Sequence, residues 1–211
     1  MLHFNSEDLN GMPHLYRINL INSCSGYKSA NLVGSISAEG ISNVAIFSSV
    51  THIGSNPALL GFFLRPTTVI RNTYNNIKEN GIFTINHIHD AILEDAHHTS
   101  AKYDPSQSEF HMTDLEEEYK NSFLAPFVKG SPVQMAMSYV EEYEIKSNNT
   151  ILLIGKIKDV YINDNLLEKD GFINLSEAKI AAINGLDGYT IPKLKTRLDY
   201  QRPKGVSEIN I

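Results

Sequence analysis

Cysteine is almost missing from this chain: Cys24 is the only one in 211 residues. One thiol cannot close an intrachain disulfide or build a cysteine-based zinc site, and a reducing, cytoplasmic setting is the expectation. Basic charge is also short. Lys and Arg number 18 against 24 Asp and Glu, a formal charge of −6 with a pI near 5.7. No basic face is available for general nucleic-acid binding, so any bound anion must be held by a local cluster of donors. The opening stretch MLHFNSEDLNGMPHLYRINL lacks a basic region leading into an apolar core, which argues against a secretory signal. Between Glu39 and Arg65 there is no charged residue. Asn43, Ser48, Ser49, Thr51, His52, Asn56 and Pro57 interrupt that span, so it reads as buried sheet and not as a membrane helix. Neither a Walker pattern nor the G-x-G-x-x-G fingerprint occurs, and there is no internal repeat or low-complexity segment.

What is present is enough apolar material for a core, at 42% hydrophobic and 20% charged residues. A single domain over residues 1–211 is expected. KSANLVGSIS and ISNVAIFSS flank AEG, whose Gly40 can take positive φ, and read as a hairpin. ALLGFFL (Ala58 to Leu64) is a continuous apolar run, as in a strand buried on both faces. RNTYNNIKENG carries a helix start, with Asn72 or Thr73 as N-cap, and Gly81 as its stop. IFTINHI returns to strand. Residues 89–128 are polar and acidic, a long excursion suited to a lid. Within it Thr113 and Glu116 have capping-box spacing, which predicts a short helix from Asp114, and DLEEEY reads as its solvated face. VQMAMSYVEEYEI and TILLIGKIKDVYI flank KSNN, another hairpin signal, and SEAKIAAI suggests a last short helix. Many antiparallel strands and few helices make the fold mainly β, a closed or nearly closed barrel.

The stretch NVAIFSSVTH places two adjacent hydroxyls, Ser48 and Ser49, at the end of an apolar strand, one on each face. Roughly twenty positions later Arg71-Asn72-Thr73 opens a helix, whose first turn offers unpaired N–H groups and a partial positive charge. Arg71, Ser48, Ser49, Thr73 and Asn76 together would form a compact receptor for a phosphate monoester. The same residues also suit local duties, with the serines satisfying nearby backbone and RNT serving only as a cap. His87 and His89, two apart on a strand, share a face and are candidate metal ligands, although no cysteine assists them. His97 or His98, on the excursion, is a candidate for touching substrate. Tyr189 can stack on a ligand ring or anchor a turn, and Lys28 can reach a ligand or extend into solvent.

The succession SANLVGSISAEGISNVAIFSSVTHIGSNPALLGFFLRPTTVIRNTYNNIKENGIFTINHI resembles the core of the flavin reductase-like family, which has an FMN-binding split β-barrel. The likeness rests on Glu39-Gly40, Asn43, Ala45, Ser48, Pro57, Arg71-Asn72-Thr73, Asn76-Ile77, Phe83 and Asn86, in order and spacing. EDAHHTSAKYDPSQSEF and APFVKGSPV resemble the family's middle region. Asn72 stands where many members have Asp, and Gly54-Ser55-Asn56-Pro57 stands in place of the more usual acidic residue and double proline. The resemblance implies that the FMN phosphate sits on Ser48 or Ser49, Arg71 and Thr73. It implies that Asn43 and the backbone from Ala45 to Phe47 lie along the isoalloxazine ring. It further implies a homodimeric flavoprotein, an NAD(P)H-dependent flavin reductase passing hydride from NADH or NADPH through FMN. Two alternatives are an FMN-binding electron carrier or redox sensor without nicotinamide turnover, and a barrel that binds no cofactor. Hydride transfer requires no side-chain acid or base, so no catalytic residue is expected beyond the cofactor's holders. No membrane partner is expected.

Overall fold

The computed structural model describes residues 1–104 and 106–201. Pro105, inside the expected excursion, and 202–211, the end of the expected 1–211 domain, lie outside the described residues. Two helices come first, α1 (Ser6–Gly11) and α2 (His14–Cys24), then strands β1 (Tyr27–Ser29), β2 (Asn31–Ile36), β3 (Ser42–Phe47), β4 (Thr51–Ser55) and β5 (Ala58–Leu64). Helix α3 (Asn72–Asn80) and strand β6 (Ile82–His87) follow, then α4 (Leu93–His98), α5 (Glu109–Met112), β7 (Glu117–Glu118) and β8 (Phe127–Val128). The chain then forms the long hairpin β9 (Val133–Ile145) and β10 (Thr150–Ile162), and closes with β11 (Ala182–Asn184) and β12 (Gly188–Thr190).

Seven strands form the main sheet in the order β3-β2-β6-β9-β10-β5-β4, with every neighbouring pair antiparallel. Alternation along the strands divides the apolar residues between two cores. Val33, Phe62, Phe83, Ile85, Met137 and Leu153 pack inside the barrel with Ile77 of α3. Leu32 and Val44, one position out of phase, pack on the other face with Phe110, Val128 and Ile183. The fold is therefore the mainly β split barrel expected from the sequence. No helix among the described residues is long and apolar enough to cross a membrane.

Both hairpins form as read. Gly40 has φ 83° between β2 and β3, and Asn149 takes φ 57° between β9 and β10. Gly81 ends α3 in the left-handed region at φ 68°. Several elements differ from the sequence reading. Helix α3 starts one residue early: Arg71 is its N-cap, without a side-chain cap bond, while Asn72 and Thr73 are already helical. Strand β5 is buried on one face only, with Phe62 and Leu64 inside and Phe63 43% exposed. No helix begins at Asp114. Thr113 is instead the C-terminal boundary of α5, its hydroxyl donating to the Glu109 carbonyl, and Glu117–Glu118 pair with Phe127–Val128 as strand. SEAKIAAI is not helical: Lys179 takes φ 50°, and β11 pairs with β1 and β12 so that Ala181 and Ile183 are buried. The excursion is seated on the sheet through Ala96, Phe110, Leu115, Phe127 and Val128, all buried.

Candidate functional site

The first turn of α3 lies against the hairpin β2–β3. Asn43 of β3 and Thr73 of α3 are both buried, and the Asn43 amide is 3.1 Å from Thr73 Oγ1. Asn76, one turn further along α3, donates 3.1 Å to Ser35 Oγ of β2. Three of the residues singled out in the sequence thus converge on one polar network beneath the helix. Its members are nearly solvent-free, so their hydrogen bonds must be made within the protein.

The remaining candidates stand nearer the surface. Arg71 immediately precedes α3, and its Nε is buried without a hydrogen-bond partner. Ser48 is half-buried at the bend that follows β3, and Ala45 and Phe47 are half-buried along the strand. The Phe47 ring meets Phe62 edge-on at 4.8 Å between centroids, so its side chain belongs to the barrel wall. Ser49 is engaged locally: its hydroxyl donates to the Phe63 carbonyl at 3.2 Å and accepts the Phe63 N–H at 3.0 Å. That leaves Ser48 as the hydroxyl of the pair with no such engagement in the sheet.

Strand β3 is the end strand of the sheet, so alternate backbone groups face outward. Val44 directs its N–H to that edge, where Glu109 of α5 accepts it at 3.2 Å. Period-two alternation places the amide and carbonyl of Ile46 on the same edge. Ser108 fastens the neighbouring position, its hydroxyl 3.0 Å from that of Ser42. Ser35, Ser108 and Glu109 went unrecognised as part of this region. Glu109 sits in an aperiodic polar segment, and only the adjacent Phe110 hints at burial there.

A cavity of about 230 Å³ opens beside the network between the β2–β3 turn and α3. Glu39 and Glu79 stand in its wall with Asn75 and Gln107. Ile70, Asn72 and Asn76 line it too, so it reaches the start of α3, but its two carboxylates repel a phosphate and an anion is favoured on the Arg71 side.

Other candidates have structural partners. Tyr189 Oη lies 2.8 Å from His97 Nδ1, tying α4 to β12. His98 stacks with Tyr103 at 6.1 Å between centroids. Lys28 Nζ bonds Asn22 and Gly185 carbonyls and the Ser25 hydroxyl, closing the loop after α2. His87 ends β6 with Nδ1 buried and unpartnered, whereas His89 lies beyond the strand, 3.9 Å from Asp90. No group of three or more metal-ligating side chains occurs among the described residues.

A split barrel whose end strand and helix start present polar groups in this way defines a class of protein. Residues 27–176 match the flavin reductase like domain, and the chain belongs to that family. Among solved structures, a split barrel domain protein from Shewanella frigidimarina NCIMB 400, provisionally named a flavin reductase, is 44% identical at a TM-score of 0.92, covering 95% of this chain and 100% of its own. Nitrilotriacetate monooxygenase component B from Bacillus cereus is 22% identical at a TM-score of 0.81, over 94% of this chain and 98% of its own. Flavoredoxin of Desulfovibrio vulgaris (Miyazaki F) is 20% identical at a TM-score of 0.72, over 83% and 92%. The last two share the fold.

Proposed function

We propose that this chain is an FMN-binding flavoprotein oxidoreductase, an NAD(P)H-dependent flavin reductase in one domain over residues 1–211. The observation that carries the reading is Arg71: a guanidinium nitrogen buried without a partner, at the N-terminus of a nine-residue helix. An anion placed there gains the helix dipole, first-turn N–H groups and a charge-assisted contact at once. Ser48, Arg71 and the backbone N–H of Thr73 would hold the phosphate of FMN, with Asn76 bracing the turn from behind. The outer backbone edge of β3 beyond Glu109, from Ala45 to Phe47, would take the polar rim of the ring system. Asn43 would support that strand from its buried side. The residues present therefore fit the cofactor that the family implies. Bound there, FMN would supply the hydride and electron chemistry itself. The chain's part is to hold it, to exclude water through the Phe47–Phe62 wall, and to leave an open face for NADH or NADPH.

Arg71→Ala is expected to weaken FMN at least about tenfold, since a charge-assisted hydrogen bond contributes ~1.5–3 kcal/mol, while riboflavin, lacking the phosphate, keeps its affinity. Fluorescence titration of both ligands checks this, and equal FMN affinity in the variant removes Arg71 from the site. The likeness to flavoredoxin favours a second reading, an electron carrier without nicotinamide turnover. Anaerobic bleaching of the bound flavin by NADH or NADPH supports the reductase; bleaching only by a protein donor supports the carrier.

A further inference from the structure

We propose that Glu109 is a positioning residue for the phosphate end of the flavin site, acting through Asn43 on the hydroxyl of Thr73. The inference rests on the flavin reading given above and adds to it a part for the excursion, which supplies Glu109 from α5.

Glu109 is only 8% exposed, and none of the ion pairs among the described residues includes it. A buried carboxylate without a cation must be satisfied by hydrogen-bond donors. The Val44 N–H is one, at 3.2 Å. The other lies in the Asn43 side chain. With its Nδ2 turned toward the excursion, that amide donates to Glu109 Oε2 at 3.3 Å, while Oδ1 accepts the Val44 N–H at 3.2 Å and the Thr73 hydroxyl at 3.1 Å. The opposite orientation sets Oδ1 against the carboxylate, two acceptors facing each other.

An ionised carboxylate has no proton to donate, so it dictates the direction of the whole relay. The amide must present its NH2 to Glu109. Its carbonyl must then face Thr73, and the Thr73 proton points inward to Asn43. The outward side of Thr73 Oγ1 keeps lone pairs only. A phosphate, itself an acceptor, receives nothing from that hydroxyl, and takes the backbone N–H groups of the α3 turn together with Arg71. Burial raises the Glu109 carboxyl above its ordinary range, and the backbone N–H groups of Glu109 and Val44 oppose that rise. The relay spans 66 residues of sequence separation between Asn43 and Glu109 yet contains only three side chains.

The test compares FMN and riboflavin dissociation constants for the full chain and for Glu109→Ala, Glu109→Gln and Thr73→Val, with thermal melting as a check on folding. Glu109→Ala frees the amide to turn over, so that the Thr73 proton can point outward to the phosphate, and is expected to tighten FMN by about tenfold, with riboflavin within about twofold. Glu109→Gln, whose carbonyl oxygen accepts the same donors, is expected to stay within about threefold of the parent for both ligands. Thr73→Val keeps the shape of the turn and is expected to leave the ratio of FMN to riboflavin affinity unchanged. A loss of FMN affinity in Glu109→Ala, an equal change in both ligands, or no change at all overturns the positioning role. A selective tenfold loss of FMN in Thr73→Val overturns the inward hydroxyl. A parent protein that binds neither ligand overturns the flavin reading itself, and the inference with it.

Discussion

His87 shows what a single buried side chain does to the pH dependence of this fold. It lies on the same strand face as Phe83 and Ile85, both packed inside the barrel, and its Nδ1 is buried with no partner. Burial in such surroundings disfavours the imidazolium and lowers its pKa from the ordinary 6.5 to about 4. Between those two values the unfolded chain binds a proton and the native one does not, so native stability falls as pH drops through that window. Since one pKa unit corresponds to ~1.4 kcal/mol, the full effect at the acid end is on the order of 3 kcal/mol. His87→Phe should remove that slope. Urea unfolding of both proteins from pH 7 to pH 4 checks it, and parallel stability curves would show that the imidazole is hydrated after all. Arg71 presents the complementary case, a group permanently charged whose buried nitrogen lacks an internal acceptor. Asn43, Thr73 and Asn76 lie between these extremes, with polar atoms paired inside the protein.

At the level of elements, the hairpin β9–β10 depends on a glycine where two strands crowd one ring. A Cβ built on Gly155 would stand 2.5 Å from Cζ and 2.9 Å from Cε1 of Phe83, itself fully buried on β6. The register of β9 and β10 also shifts between Ile154 and Gly155, so the strand bends around that side chain. Gly155→Ala should destabilise the protein by ~1–3 kcal/mol through overpacking, seen as a lower urea midpoint with an unchanged slope. Wild-type stability in that variant would mean the Phe83 ring moves aside freely. The sheet was legible because its signals are local: alternation along β2, β3, β6, β9 and β10, a positive-φ glycine at 40, an αL asparagine at 149. The end of α3 was legible for the same reason, while its start was displaced by one residue because Arg71 caps it without using its side chain. The site was half legible. Asn43, Thr73 and Asn76 carry recognisable spacing, and Arg71 its charge. Glu109 could not be found, because its role depends on a four-residue helix docking against β3 from a distant part of the chain. Thr113-Glu116 and SEAKIAAI misled because helical signals there yield to pairing that buries Leu115, Ala181 and Ile183.

For the molecule as a whole, the N-terminal helices pose a physical question about assembly. Helices α1 and α2 span six and eleven residues, and neither has a buried residue. Segments that short are marginal as helices in water and need tertiary packing to persist. On α2, Leu15, Tyr16 and Ile21 are exposed, and on the C-terminal arm Leu194, Leu198 and Tyr200 are too. The arm is fastened at its root by Arg197, which pairs with Glu168 and Asp170 over the Phe172 ring. Apolar residues displayed on both terminal segments suit burial against a second copy, and a homodimer with the flavin held at its interface is the arrangement we propose. A stable dimer of this kind covers ~800 Å² on each partner, more than the scattered apolar side chains of one helix supply, so both termini should contribute. Sedimentation equilibrium at micromolar concentration should then give a mass twice that of the 23.6 kDa chain. Removing residues 1–24 should shift the protein toward monomer and weaken FMN in parallel, because a ligand that binds the dimer draws on its population by mass action. A full chain that sediments as a monomer while binding FMN tightly would place the whole flavin site within one copy.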